Sequence, residues 1–126
     1  MKKKALIIED DDKNRTLEKD LLEMAGFEVV VATDGAGGIL LAQKERPDVI
    51  VMDLRLPDLR GDLVAKSLRR EATTSGIPIL FVTASVVGDL IVGASAIPKA
   101  VLISKPIDTR TFAKQVIECI PGGLHG

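Results

Sequence analysis

The residues best suited to chemistry in this chain are acids. Glu9, Asp10, Asp11 and Asp12 stand in a row directly after the apolar run of "LIIEDDD". Asp53 closes a second apolar run, "DVIVMD", Thr83 follows a third, "IPILFV", and Lys105 follows a fourth, "AVLIS". Adjacent carboxylates repel one another, so something must offset the cost. Carboxylate oxygens, a backbone carbonyl and waters are ligands that suit Mg²⁺. The set contains no sulfur or imidazole, which softer metals select. A carboxylate beside such an ion can attack a phosphoryl group and become an acyl phosphate. The ion and a lysine ammonium neutralise charge on the transferring oxygens, and a threonine hydroxyl can donate to one of them. This chemistry requires residues far apart in sequence to meet at one place.

The surrounding elements supply that meeting. Short runs rich in Val and Ile occur at 5–8, 27–32, 48–53, 77–82 and 100–104. They are apolar without strict alternation, as strands are when buried on both faces of a parallel sheet. Helix-like segments lie between and after them, at about 13–25, 35–45, 62–71, 86–96 and 109–120. In the first, Leu17, Leu21, Leu22 and Ala25 share a face. Asp11 or Asp12 can cap its start and Gly26 can end it. The second carries Ile39, Leu40 and Ala42. Gly37 and Gly38 weaken it, by about 1 kcal/mol each relative to Ala. The third carries Leu63, Val64, Ala65 and Leu68. Five strands alternating with five helices predict a doubly wound α/β domain with right-handed crossovers. Ligands in such folds bind outside the carboxyl ends of the strands. Glu9, Asp10 and Asp11 end the first strand, Asp53 the third, Thr83 the fourth and Lys105 the fifth, so all should project at one edge.

Composition narrows the function classes. The 126 residues suit one domain, and 46% hydrophobic residues are enough for a core. A net charge of -1 argues against a nucleic-acid footprint, which shows as a basic patch or stripe. No apolar run approaches the roughly 20 residues that span a bilayer. The basic start "MKKKAL" is not followed by a signal-peptide core, because Glu9 interrupts it. The single cysteine, Cys119, cannot form an internal disulfide, fits a reducing compartment, and reads as a small buried residue. His125, the only histidine, lies in the tail "GGLHG", which disfavours His-dependent triads.

The stretches "LIIEDDDKN", "VIVMDLRLPDLRG", "LFVTAS" and "LISKPI" together resemble the hallmark motifs of response-regulator receiver domains, the two-component signalling family. The resemblance covers roughly residues 4–119 and is specific because four motifs occur in order. It implies a flavodoxin-like fold with strand order 2-1-3-4-5, a receiver domain over 1–121 and a flexible tail over 122–126. It implies that Asp53 is the phosphoacceptor, that Asp10 binds Mg²⁺ directly, and that Glu9 acts mostly through water. Asp53 itself and the backbone carbonyl of Arg55 would complete the protein ligands, and Mn²⁺ could substitute. Thr83 and Lys105 would contact the phosphoryl group, and small Ala84 would keep the site accessible. A cis Lys105–Pro106 bond is also implied. Asp11 and Asp12 read better as a helix start, and Asp58 as a turn former, than as ligands. The implied partners are a sensor histidine kinase or histidine phosphotransfer protein and a downstream protein effector, in the cytoplasm, with neither nucleic acid nor membrane. With no room for an output domain, the expectation is a stand-alone receiver or a fragment of a larger regulator.

The chain departs from the family pattern near its C-terminal end. Leu102 occupies a place where many receivers carry an aromatic switch residue. Pro98 takes the place of a glycine after the fourth helix; its fixed φ forbids a left-handed cap, so that helix should end near Ala96. In "VVGDLIVGASAIPKAVLI", Val87, Leu90, Ile91 and Ala94 form one inward stripe, leaving Val86, Val92 and Ala96 over. That remainder reads either as scattered exposed apolar residues or as a contact surface for a partner or a homodimer through 86–105. Arg55 and Ser85 flank the site, at positions that influence phosphoryl lifetime in this family. Two rival functions are a receiver-like interaction module that no longer switches, and a small Mg²⁺-dependent phosphohydrolase with Asp53 as nucleophile. The second would need a substrate cap, and no insertion suggests one. A receiver is otherwise no enzyme, catalysing only its own phosphorylation and slow self-dephosphorylation.

Overall fold

A computed structural model of the chain describes residues 2–84 and 88–125. Val86 and Val87, with which the expected fourth helix begins, and Ser85, expected to flank the site, lie outside the described residues, as do the side chains of Asp89 and Leu90. Five strands, β1 (Lys4–Ile8), β2 (Glu28–Ala32), β3 (Val49–Met52), β4 (Ile79–Thr83) and β5 (Ala100–Ser104), form one sheet in the order β2-β1-β3-β4-β5. All four pairings are parallel. The helices are α1 (Asp12–Met24), α2 (Gly35–Glu45), α3 (Gly61–Arg70), α4 (Asp89–Ser95) and α5 (Phe112–Glu118). A single 3₁₀ turn, Gly123–His125, packs on α5 within the expected tail.

The strand sequences divide the core by alternation, since successive side chains point to opposite faces. Leu6, Ile8, Ile50, Met52, Ile79 and Phe81 face one way and pack with Ala42, Val64, Leu68 and Ala94 from α2, α3 and α4. Ala5, Ile7, Val49, Val51, Leu80 and Val82 face the other way, against Leu22 of α1 and Phe112 and Val116 of α5. All these side chains are buried, so β1, β3 and β4 are covered on both faces as expected; β2 and β5 lie at the sheet edges and are not, with Val101 and Leu102 of β5 exposed.

Helix boundaries follow local chemistry. Asp11 caps α1 by accepting from the N–H of Asn14 at 2.8 Å, and Asp12 occupies the first turn, paired with Arg15. Gly26, at φ 105°, takes the left-handed conformation that ends the helix. Asp34 caps α2 through the N–H of Gly37 at 2.7 Å. Asp58 also serves that end of α2, accepting from the N–H groups of Gly35 (2.7 Å) and Ala36 (2.9 Å). These two backbone hydrogen bonds lower its pKa, so the acid expected to form a turn also anchors a helix start.

Three expectations need correction. In α1, Leu22 is buried and Leu21 and Ala25 pack against the core as expected, but Leu17 is 39% exposed and Glu18 takes the buried place beside it. In α2 and α3, Leu40 and Leu63 are exposed, whereas Ala42, Val64, Ala65 and Leu68 are buried. The fifth helix begins only at Phe112, because Asp108 captures the N–H of Arg110 and residues 109–111 form a turn. The fourth helix stops at Ser95 with Ala96 as its cap, as Pro98 requires. The left-handed residue is displaced to Lys99, at φ 56°, and Arg69 of α3 holds the turn by donating to the Pro98 carbonyl at 3.0 and 2.8 Å. Cys119 is half-buried, with Sγ 3.4 Å from the Gln115 carbonyl, and burial raises its pKa.

Gly61 shows how tightly the β3–α3 connection is folded. Its N–H donates to the Leu54 carbonyl at 2.8 Å, and a Cβ there would run into the Asp53 carbonyl and the Leu54 backbone. Backbone cannot yield as a flexible side chain can, so Gly61→Ala should cost at least about 1–3 kcal/mol. Urea unfolding of the purified variant measures this directly; a midpoint equal to that of the native chain would contradict it.

Candidate functional site

The carboxyl edge of the sheet gathers the residues singled out by type. Glu9 follows β1, Asp53 follows β3, Thr83 ends β4 and Lys105 follows β5. Backbone ladders hold these ends level: Asp53 N–H donates to the Ile8 carbonyl at 3.1 Å, and Lys105 N–H to the Thr83 carbonyl at 2.9 Å. The Lys105–Pro106 peptide is cis.

At the centre lies the Lys105 ammonium. Its Nζ is 2.6 Å from Glu9 Oε1 and 2.7 Å from Asp53 Oδ2, bridging elements 96 and 52 positions apart in sequence. The second oxygens are also used. Glu9 Oε2 accepts from the N–H of Asp11 at 3.1 Å, and Asp53 Oδ1 from the N–H of Arg55 at 3.0 Å. Glu9 and Asp53 are buried, at 2% and 9% exposure, whereas Asp10 is exposed. One carboxylate oxygen from each of Glu9, Asp10 and Asp53 falls within 4.8 Å of the other two. Thr83 is buried, and Ala84 beside it is exposed. Arg15 steadies the β1–α1 turn through the Glu9 carbonyl at 3.1 Å.

Burial and pairing set the charge states. Burial raises the Glu9 pKa against the lowering effect of Lys105. Burial also works against the Lys105 ammonium, but hydrogen bonds to Asp53 and Glu9 outweigh it and its pKa is raised. Lys105 is therefore a durable cation between two acids.

The structure adds an acid that type and spacing did not single out. Glu18, 3% exposed on the inner face of α1, lies in the field of Glu9, Lys105 and Asp53. Burial, reinforced by Glu9, lifts its pKa from 4.5 to about 8. The signal available in sequence was the 18, 22, 25 spacing, one helical face shared with Leu22.

A flavodoxin-like α/β module with a lysine-bridged acidic site at its carboxyl edge is thereby defined. This chain belongs to the response regulator receiver domain family, which its sequence matches over residues 5–117. Protein PilH of Pseudomonas aeruginosa is 31% identical over 117 residues, 93% of this chain and 97% of PilH. Chemotaxis response regulator CheY4 of Vibrio cholerae superposes with a TM-score of 0.87 at 28% identity, over 95% of this chain and 100% of CheY4. The receiver domain of sensor histidine kinase PA1611 from Pseudomonas aeruginosa, which has a magnesium ion coordinated in its active-site cleft, superposes with a TM-score of 0.85 at 24% identity, covering 94% and 97% of the two chains. Receiver domains are signalling modules and not typical enzymes. Response regulators interact with histidine kinases and downstream effectors. Among the described residues, no helix is long and apolar enough to cross a membrane.

The Glu18 geometry has a consequence for stability. Its folded pKa lies above the unfolded value, so the folded state keeps a proton that the unfolded chain releases. The stabilisation from that retained proton is full below about pH 4.5 and is lost as pH rises through about 8. Glu18→Gln removes the titration. In metal-free buffer its melting temperature should gain on the native chain between pH 5 and pH 8.5, by about 4 °C or more. A difference that stays constant across that range would show that Glu18 does not titrate this way.

Proposed function

We propose that this receiver domain accepts a phosphoryl group from a phosphohistidine onto Asp53, with Mg²⁺ in the site, and signals by protein contact. The observation that carries this reading is the setting of Asp53. Its carboxylate is held between the Lys105 ammonium and the Arg55 N–H, with oxygens of Glu9 and Asp10 close by.

The donor set fits Mg²⁺, and Mn²⁺ as a substitute: every donor is oxygen, and one acid, Asp10, stands at the exposed mouth. Asp10 would hold the ion directly and Glu9 through water, with Asp53 and the Arg55 carbonyl completing the protein ligands. Once bound, the ion supplies positive charge that relieves the repulsion among the acids and offsets charge on the phosphoryl oxygens. The chain's own residues do the rest. A carboxylate oxygen of Asp53 attacks phosphorus, the P–N bond breaks, and its electron pair stays on the donor's imidazole nitrogen. Lys105, kept protonated by its two carboxylate neighbours, balances the added charge. Thr83 donates its hydroxyl to a phosphoryl oxygen, and Ala84 leaves room for the donor. Slow hydrolysis of the acyl phosphate resets the site.

The donor is a sensor histidine kinase or a histidine phosphotransfer protein, and the receiving partner is a downstream protein, all in the cytoplasm. Residues 1–121 act as the receiver unit and 122–126 as a tail. Val92, Val101 and Leu102, exposed by 70%, 50% and 38%, offer the downstream protein an apolar surface, and association of two copies through this region is the alternative use. A non-switching interaction module is the second reading. Leu102 favours it, because an aliphatic side chain has no polar atom to answer the Thr83 hydroxyl.

Two experiments test these assignments. Incubation with Mg²⁺ and acetyl phosphate should add one phosphoryl mass to the native chain and none to Asp53→Ala; equal labelling of both would sink the Asp53 assignment. Separately, Mg²⁺ at ten times its Kd should stabilise the fold by about 1.4 kcal/mol, raising the melting temperature by several degrees. Asp10→Ala should lose most of that rise, and a melting temperature indifferent to millimolar Mg²⁺ in the native chain would refute the metal site.

A further inference from the structure

Asp62 is an unusual residue to find where it is. It lies in the first turn of α3, is 1% exposed, and belongs to the face that packs on α4. Its carboxylate sits directly under Gly93 of α4: a Cβ at that position would overlap Oδ2 and crowd Cγ. Glycine therefore lets α4 rest on a carboxylate where an apolar contact would be expected. The charge is met by Arg60, whose Nε and NH2 nitrogens donate to Oδ1 at 3.1 Å and Oδ2 at 2.9 Å. A two-pronged pair of this kind is directional, and loss of one partner leaves a buried charge uncompensated.

Arg60 is in turn tied to the site. It forms an antiparallel bridge with Arg55, and the two line one cleft of about 290 Å³ with Leu54 and Leu56. Arg55 donates its N–H to Asp53 Oδ1 at 3.0 Å, and Gly61 lies against the Asp53 backbone. An unbroken series of contacts thus joins the Asp53 carboxylate to the underside of α4. Each step is a hydrogen bond, a backbone bridge, an ion pair or a steric contact.

We propose that the state of Asp53 is conveyed to α4 through the β3–α3 loop, by way of Arg55, Arg60 and the buried Asp62 beneath Gly93. This inference rests on the reading of Asp53 as phosphoacceptor. Modification of Asp53 alters the charge presented to the Arg55 N–H. The bridged loop moves as one piece, and Arg60 shifts its grip on Asp62. Because Asp62 cannot remain buried without its partner, α4 must move or loosen.

The test measures amide exchange over residues 88–96, with and without Mg²⁺ and beryllofluoride, in the native chain, Arg60→Gln, Asp62→Asn and the double variant. Intact mass after acetyl phosphate is recorded for each. Arg60 is partly exposed, so Arg60→Gln keeps the test open if Asp62→Asn fails to fold. The expected result is a full mass shift throughout, a clear exchange response of α4 in the native chain, and a response reduced at least about threefold in each single variant. The double variant should lose no more than the singles, since the pair acts as one unit. Full mass shifts with an undiminished α4 response in both Arg60→Gln and Asp62→Asn, or with no α4 response in the native chain, would overturn the inference and leave the phosphoacceptor reading standing. A missing mass shift in the native chain would overturn the reading, and the inference with it.

Discussion

A half-buried ammonium bridging two buried carboxylates is the constraint on which the rest of the structure turns. Lys105 lies within 2.7 Å of both Glu9 and Asp53, and none of the three reaches that place alone. The cost of removing such charges from water is several kcal/mol per ion, and it is recovered only when partners and geometry are good. The sheet provides both. Parallel strands β1, β3 and β5 end at one edge, and the backbone bonds from Asp53 to Ile8 and from Lys105 to Thr83 keep those ends level. A slip of one residue in any strand would turn its apolar side chains to the wrong face, so the core fixes the site's geometry.

The acidic run after β1 shows how one stretch divides its labour. Glu9 points into the site, Asp10 stands exposed at its mouth, Asp11 caps α1, and Asp12 pairs with Arg15 in the first turn. The last two gain from the positive end of the helix, which favours anions. The repulsion that four adjacent carboxylates imply is thus offset by three means: a lysine, a cap and an ion pair.

Two further buried acids, Glu18 and Asp62, depart from what the fold alone demands. Each occupies an inward helical position where an apolar residue would be more stable. Glu18 raises the density of acids around Lys105, while Asp62 places a charge between the β3–α3 loop and α4. Both lie beside the phosphoacceptor candidate or on the route away from it, where a local sacrifice of stability is most readily understood as functional.

The architecture and most of the candidate site were legible because they depend on local pattern. Val/Ile runs read as two-sided strands, and Asp11, Gly26 and Pro98 marked helix limits through their own backbone and side-chain chemistry. Glu9, Asp10, Asp53, Thr83 and Lys105 stood at strand ends, which parallel topology places at one edge. Tertiary structure decided what pattern could not. It turned Glu18 inward and Leu17 outward, since rotation of a helix is set by the surface it packs on and not by a single hydrophobic side chain. It delayed α5 to Phe112, because Asp108 competes for the backbone of the preceding turn. It also brought Asp62 under Gly93 with Arg60 as its partner. That pairing depends on how α3 and α4 meet, and no spacing along the chain encodes the distance between two packed helices.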